Sequence, residues 1–317
     1  MHFADGLIIT TLVENYIDML IPNTEMVKRP GIAFHFDPRN KPIHAENGLS
    51  MLVDLFFAEQ RYRILFDAGI SHTALLHNMS ALGISPKDID HAVISHGHPD
   101  HYGGLLALLK ARDYPLPVIL HPSAFLARYV VAANGLVIPT YSQSLRKSEL
   151  EAAGASLVLA KGPVQIGPAA FTTGEIPFKV SFEPPGPPAG IPSSLRCVQD
   201  GKFEEDKTPD DLALAICLKG KGLVVITGCA HAGIINSVRQ AQTVTGVEEV
   251  YAIFGGFHLG FPGIPDENIE KTIRELKHLK PAIISPMHCS GFKTLAAVYS
   301  EMPEAFLLNT AGAQITL

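Results

Sequence analysis

The stretch from His91 to Leu109, H-A-V-I-S-H-G-H-P-D-H-Y-G-G-L-L-A-L-L, constrains this chain more than any other. Ala92-Val93-Ile94 is a short apolar run of buried-strand type, and a leucine-rich helical pattern follows the pair Gly103-Gly104. The polar residues between them therefore lie on a strand-to-helix loop. His96, His98, Asp100 and His101 fall within six residues of that loop. Imidazole and carboxylate are ligands that zinc, iron(II) and manganese accept, and Pro99 stiffens the turn that aims them. A lone histidine is usually a satisfied packing or surface residue. Four ligand side chains at this spacing point to a metal site.

The rest of the chain repeats a strand, a loop and a helix. Strands are expected at Leu7 to Val13, Leu49 to Phe57, Tyr62 to Phe66, Pro117 to Leu120, Ala155 to Leu159, Ala170 to Thr173, Leu212 to Leu218, Gly222 to Thr227, Val250 to Phe254 and Ala282 to Ser285. Helices are expected at Ser71 to Leu82, from His121-Pro122 to about Ala133, at Ile234 to Thr243 and at Asp266 to Leu279. Later strands end in Gly228-Cys229-Ala230-His231, Gly256-Phe257-His258 and Pro286-Met287-His288-Cys289. Such a recurrence is expected when ligands project from one edge of packed sheets.

With 317 residues and 47% hydrophobic content the chain can bury a substantial core, and it reads as one domain, 1–317, with a Pro-rich lid or insertion at about 177–210. The run E-P-P-G-P-P-A-G-I-P-S-S from Glu183 to Ser194 forms no regular element, because proline lacks a donor and fixes φ. A loop of this length reads as a lid or pocket wall.

The pattern H-x-H-x-D-H resembles the signature of the metallo-β-lactamase superfamily. The resemblance implies an α/β (α+β) fold, a four-layer αβ/βα sandwich, with a dinuclear site. His96 and His98 would serve one metal, and Asp100 and His101 a second. His288 matches the family's last histidine, and Asp67, in Asp67-Ala68-Gly69, matches a residue that packs beneath the metal loop and orients a histidine.

Two positions depart from the pattern. Glu175, in T-G-E-I-P, stands where the third histidine is expected, and Cys229 stands in the place of the bridging aspartate. A thiolate can bridge two metals. His231 can point to the same side as Cys229 if the chain stays extended, which makes it the imidazole completing the first metal, with Glu175 the competing candidate. Together with D-D-L-A-L, G-C-A-H-A-G, G-G-F-H-L and P-M-H-C-S-G, these features resemble archaeal dihydropteroate synthase-like metallo-hydrolases of that superfamily.

A net charge of −6 and a pI near 6.1 give no basic footprint for nucleic acid. No run of eighteen apolar residues appears, and Met1 to Asp5 lacks a basic stretch followed by an apolar one, so a cytoplasmic protein that does not enter a membrane is expected. Cys197, Cys217, Cys229 and Cys289 are too scattered for a disulfide framework.

The expected cofactors are two divalent ions, zinc with iron or manganese as alternatives. The expected activity is hydrolysis of a small phosphoester, cyclic ester or lactone by activated water. Asp100 would accept the water's proton, His258 would contact substrate, and Lys179, Arg196 and Lys202 would receive an anionic group of a small-molecule substrate. Alternatives are pterin-related transfer and iron-based redox chemistry.

Overall fold

Two mixed sheets pack face to face in the computed structural model, which describes residues 2–132, 134–139, 145–183, 194–261 and 263–317. The first sheet runs, edge to edge, Val27–Lys28, Gln314–Thr316, Gly6–Val13, Ser50–Phe57, Gln60–Phe66, His91–Val93, Leu116–Leu120 and Ala155–Leu159. The second runs Gln165–Ile166, Ala170–Thr172, Ala213–Leu218, Gly222–Thr227, Val250–Gly256 and Ile283–Met287. Leu49, Met51, Val53, Ile64, Phe66 and Val93 from the first meet Leu214, Ile216, Val224, Ile226 and Phe254 from the second in one buried cluster. Fully burying a side chain of this kind is worth about 1.5–3 kcal/mol, so this seam is a principal source of stability.

Helices cover both outer faces. His72–Ala81 and Leu105–Lys110 pack on the first sheet, while Ile234–Thr245, Asp266–Leu279 and Gly291–Glu301 pack on the second. The result is the four-layer αβ/βα sandwich. Ser71 caps the helix His72–Ala81 by accepting from the Ala74 amide, as its place before an apolar-periodic run requires.

Strand register positions the site. In the second sheet Thr227 pairs beside Gly255 and Gly256 beside Met287, all parallel, so the segments bearing Cys229, His231, His258 and His288 emerge at one edge. In the first sheet Phe66 pairs beside Val93 and Val93 beside Ile119, again parallel, which brings Asp67 and the 95–101 loop to a common edge. Carboxyl ends of parallel strands are where open α/β sheets bind ligands.

One expected element is different. The segment after His121 is not a helix to 133 but a short 3-10 turn, Pro122–Phe125, followed by strand Ala127–Val131. Tyr129, Val130 and Val131 favour extended backbone, and Ala127–Val131 pairs antiparallel with Ser194–Gln199 in a small sheet that also holds Lys202–Glu205 and Val137–Pro139. Of the lid or insertion expected at about 177–210, residues 184–193 lie outside the described residues, while Ser194–Gln199 and Lys202–Glu205 are strands of the small sheet.

Candidate metal centre

The loop after His91–Val93 turns into the short helix Pro99–Tyr102, which has proline at its first position and is followed by Gly103-Gly104. A Cβ on Gly103 would collide with the backbone of Ile70, so the loop can seat this closely only with glycine there. His96, His98, Asp100 and His101 all project from this loop.

The structure brings them together with three residues from the second sheet. His96 Nε2 lies 3.0 Å from His98 Nδ1 and 3.2 Å from His231 Nε2. His101 Nε2 lies 3.1 Å from Cys229 Sγ, and His288 Nε2 lies 3.2 Å from Asp100 Oδ2. Four three-residue groups result among the described residues, each with its ligand atoms within 4.8 Å of one another: His96/His98/His231 and Asp100/His101/His288 share no member, while His96/His101/Cys229 and Cys229/His288/Cys289 meet at Cys229. Cys229 falls within the same distance of both His96 and His101.

Hydrogen bonds at the far side of the rings decide which nitrogens are bare. Ser95 Oγ gives its hydrogen to Asp67 Oδ2 at 2.8 Å, so it can only accept from His96 Nδ1 at 2.9 Å. His101 Nδ1 donates to Asp67 Oδ2 at 2.7 Å, His98 Nε2 faces Asp206 Oδ2 at 3.4 Å, and His288 Nδ1 faces Asn15 Oδ1 at 3.3 Å. In neutral rings the inward nitrogens of His96, His98, His101 and His288 are therefore lone pairs. Buried His288 Nε2 lies against Asp100 Oδ2 but out of hydrogen-bond geometry. Converging, desolvated lone pairs repel unless a cation lies between them, and rings held from behind by oxygen acceptors are the usual setting of metal-ligating histidines. The donor set fits a pair of divalent ions.

Electrostatics divide the cluster: burial lowers His101 and His288, but the carboxylates of Asp67 and Asp100 outweigh it at His101, and that of Asp100 at His288, and both end raised. Burial, joined by the neighbouring imidazoles, pushes His96 and His231 well below the usual histidine range, so both are neutral near pH 7. Burial pushes Asp100 up, but His101 and His288 outweigh it and hold the carboxyl below its ordinary value. Four non-glycine residues around the site, Asp67, Ala230, His258 and His288, have φ between 49° and 58°. Backbone strain of this kind is characteristic of functional loops.

Glu175 is not part of the cluster. Its half-exposed carboxylate Oε1 lies 3.0 Å from His121 Nε2 and 3.7 Å from Lys161 Nζ, and it belongs to none of the three-residue groups. His231, the other candidate, lies with His96 and His98, although not by way of an extended chain: Ala230 is left-handed, and the turn sends Cys229 and His231 to different groups.

His258 stands outside these groups, with its ring 4.2 Å from that of His231 and 4.3 Å from that of Phe261. Burial and His98 push its pKa down to about 3, leaving a neutral imidazole. Lys179 is exposed beside Asn236, and Arg196 and Lys202 lie in the small sheet.

Sequence reading missed several residues. Cys289 Sγ lies within 4.8 Å of the ligand atoms of Cys229 and His288. Glu14 accepts from the His288 amide at 3.0 Å, and burial pushes its carboxyl up to about 7. Arg128, Asp206 and Asp210 form a buried cluster behind the His96–His98 turn. The only local sign of the last was the acidic spacing D-K-T-P-D-D before a strand.

A strand-edge site of histidines, a carboxylate and a buried cysteine on an αβ/βα sandwich defines the class. The sequence profile of the Metallo-beta-lactamase superfamily matches residues 45–288, and the chain belongs to that superfamily. It is 33% identical over 296 residues, 93% of this chain and 98% of the relative, to a 7,8-dihydropterin-6-methyl-4-(beta-D-ribofuranosyl)-aminobenzene-5'-phosphate synthase of Methanocaldococcus jannaschii. An uncharacterized protein of the same archaeon is 31% identical over 80% of this chain and 88% of its own. The crystal structure of Tm1679, a metal-dependent hydrolase of the beta-lactamase superfamily, superposes with a TM-score of 0.72 at 24% identity, covering 98% of both chains. Among the described residues no helix is long and apolar enough to cross a membrane.

Proposed function

We propose that this chain is a dinuclear metal enzyme acting on a small anionic, pterin-linked substrate, joining the methyl carbon of a 7,8-dihydropterin to an arylamine nitrogen. The observation that carries the metal part is the pair of three-residue groups with bare inward nitrogens and Cys229 between them. Support for the pterin part is the likeness to the synthase over 93% of this chain. Zinc is the ion the donors favour, since a thiolate is a soft ligand, with iron or manganese as alternatives.

In such a transfer the amine lone pair forms the C–N bond while a C–O bond to a diphosphate-type leaving group breaks, its electron pair going to oxygen. A divalent ion pair supplies electrophilic polarisation of oxygen groups and a lowered pKa for water. His258, its ring 4.2 Å from that of His231 beside the first group, stays neutral and contacts the substrate. Hydrolysis of a small phosphoester or lactone is the second reading, favoured by the metal-dependent hydrolase fold of the superfamily. There Asp100 receives the proton of the attacking water.

Zinc-loaded protein incubated with 6-hydroxymethyl-7,8-dihydropterin diphosphate and a panel of arylamines should yield a coupled product by mass spectrometry. Turnover of phosphoesters or lactones with no coupling would replace the transfer reading with the hydrolytic one.

A further inference from the structure

A buried ionic cluster stands directly behind the first histidine group. Arg128 is 4% exposed, and Asp206 and Asp210 are fully buried. The guanidinium Nε donates to Asp206 Oδ2 and Nη2 to Asp210 Oδ1, each at 2.6 Å, while Nη1 donates to the Gly97 carbonyl at 3.1 Å. Asp210 Oδ2 accepts from the Gly97 amide at 2.6 Å. Both polar groups of the residue between His96 and His98 are thus held by this cluster. Gly97 is wedged so tightly that a Cβ there would overlap the Ala124 carbonyl and the Arg128 guanidinium.

Asp206 does a second thing. Its Oδ2 also faces His98 Nε2 at 3.4 Å, which keeps the proton on Nε2 and leaves Nδ1 bare toward His96. Burying three charges is expensive, and an apolar cluster of similar volume would generally serve stability as well. A cluster here needs a local reason, and beside contacts to the Ala124 carbonyl and the Thr208 amide it holds Gly97 N, Gly97 O and His98 Nε2 on the turn that aims two imidazoles.

We infer that Arg128, Asp206 and Asp210 are positioning residues that fix the His96–His98 turn and the tautomer of His98, so that the first ion site depends on the small sheet carrying Arg128. The inference rests on reading the histidine groups as ion sites. Arg128 comes from strand Ala127–Val131 and Asp206 follows strand Lys202–Glu205, so two strands outside the main sandwich clamp the ligand loop. Asp206→Asn is the discriminating change. Oδ2 alone meets both Arg128 Nε and His98 Nε2, and Oδ1 accepts from the Thr208 amide, so an amide at this position sets its N–H₂ against a donor whichever way it turns and loosens the hold on His98.

The test is a competition titration of the full-length protein with zinc and a chromophoric chelator, repeated with cobalt(II) to follow ligand-field absorption. Asp54→Asn is the control, because Asp54 forms a buried pair with Arg63, at 2.7 Å, in which no site residue takes part. The expected result is that Asp206→Asn weakens one of two ions by roughly 10–100-fold and alters the cobalt spectrum, while Asp54→Asn lowers the melting temperature with both ions unchanged. Should Asp206→Asn fail to fold, Arg128→Lys, which keeps the charge but loses the planar fork, is read the same way. Two ions held at wild-type affinity in the variant overturn the positioning role alone. Fewer than two ions in the wild type overturn the ion-site reading, and this inference with it.

Discussion

Cys229 Sγ lies 3.1 Å from Nε2 of His101, across 128 residues of chain. A thiol at that place that packed merely as a small apolar group would cost only a cavity when removed. A thiolate shared by two ions behaves otherwise: Cys229→Ala should release at least one ion, and Cys229→Asp should keep a pair but shift preference from zinc toward manganese. Elemental analysis of both variants decides. An alanine variant with two tightly held ions, beside an aspartate variant that does not fold, would assign Cys229 to the core.

His231 and Glu175 compete in the sequence but not in space. His231→Ala should lose the first ion, whereas Glu175→Ala should retain both and change stability by less than about 1 kcal/mol, since its pairs with His121 and Lys161 are partly exposed. Ion stoichiometry and thermal melts on the two variants give the comparison directly.

Asp67 is fully buried and accepts from Ser95 N, Ser95 Oγ and His101 Nδ1 at 2.7, 2.8 and 2.7 Å. Asp67→Asn forces an amide hydrogen against one of these donors. It should weaken the second ion by roughly 10–100-fold and destabilise the fold by about 1–3 kcal/mol. An unchanged zinc titration would deny Asp67 its role in orienting His101.

Away from the metal centre, Glu183 takes hydrogen bonds from Ile235 N and Thr272 Oγ1, both at 3.0 Å. Burial outweighs them and pushes its carboxyl from 4.5 up to about 7. The native state then holds a proton that the unfolded state releases, so this stability is fully present below about pH 4.5 and is lost as pH rises through 7. The span corresponds to roughly 3 kcal/mol. Glu183→Gln, an isostere of the protonated acid, should flatten the fall of melting temperature between pH 5 and 7, leaving the smaller slope due to Glu14 and Asp211, which burial also raises. A variant with the wild-type slope would rule Glu183 out as the source.

The parts of this site legible in the sequence are those written locally. His96 to His101 stand within one turn and its flanks, and Cys229, His231 and His288 each follow an apolar run that could only be a buried strand. Choosing between Glu175 and His231 required knowing which strand ends meet, which element order alone does not reveal. The Arg128 cluster was hidden for another reason: His121-Pro122 looked like a helix start, while the strand that carries Arg128 exists because of pairing with Ser194–Gln199, some 65 residues later.

The groups His96/His98/His231 and Asp100/His101/His288 each draw from both halves of the sandwich, two members from the first sheet's loop and one from the second sheet's strand ends. An ion held there is a rivet through the seam between the sheets. Its affinity and the docking of the two halves then form one equilibrium, in which every kilocalorie of ion binding is also resistance to the halves parting. Stripping the ions with chelator should accordingly loosen the molecule along that seam before any single helix melts, with the strands His91–Val93 and Gly222–Thr227 the first to gain hydrogen-exchange rate.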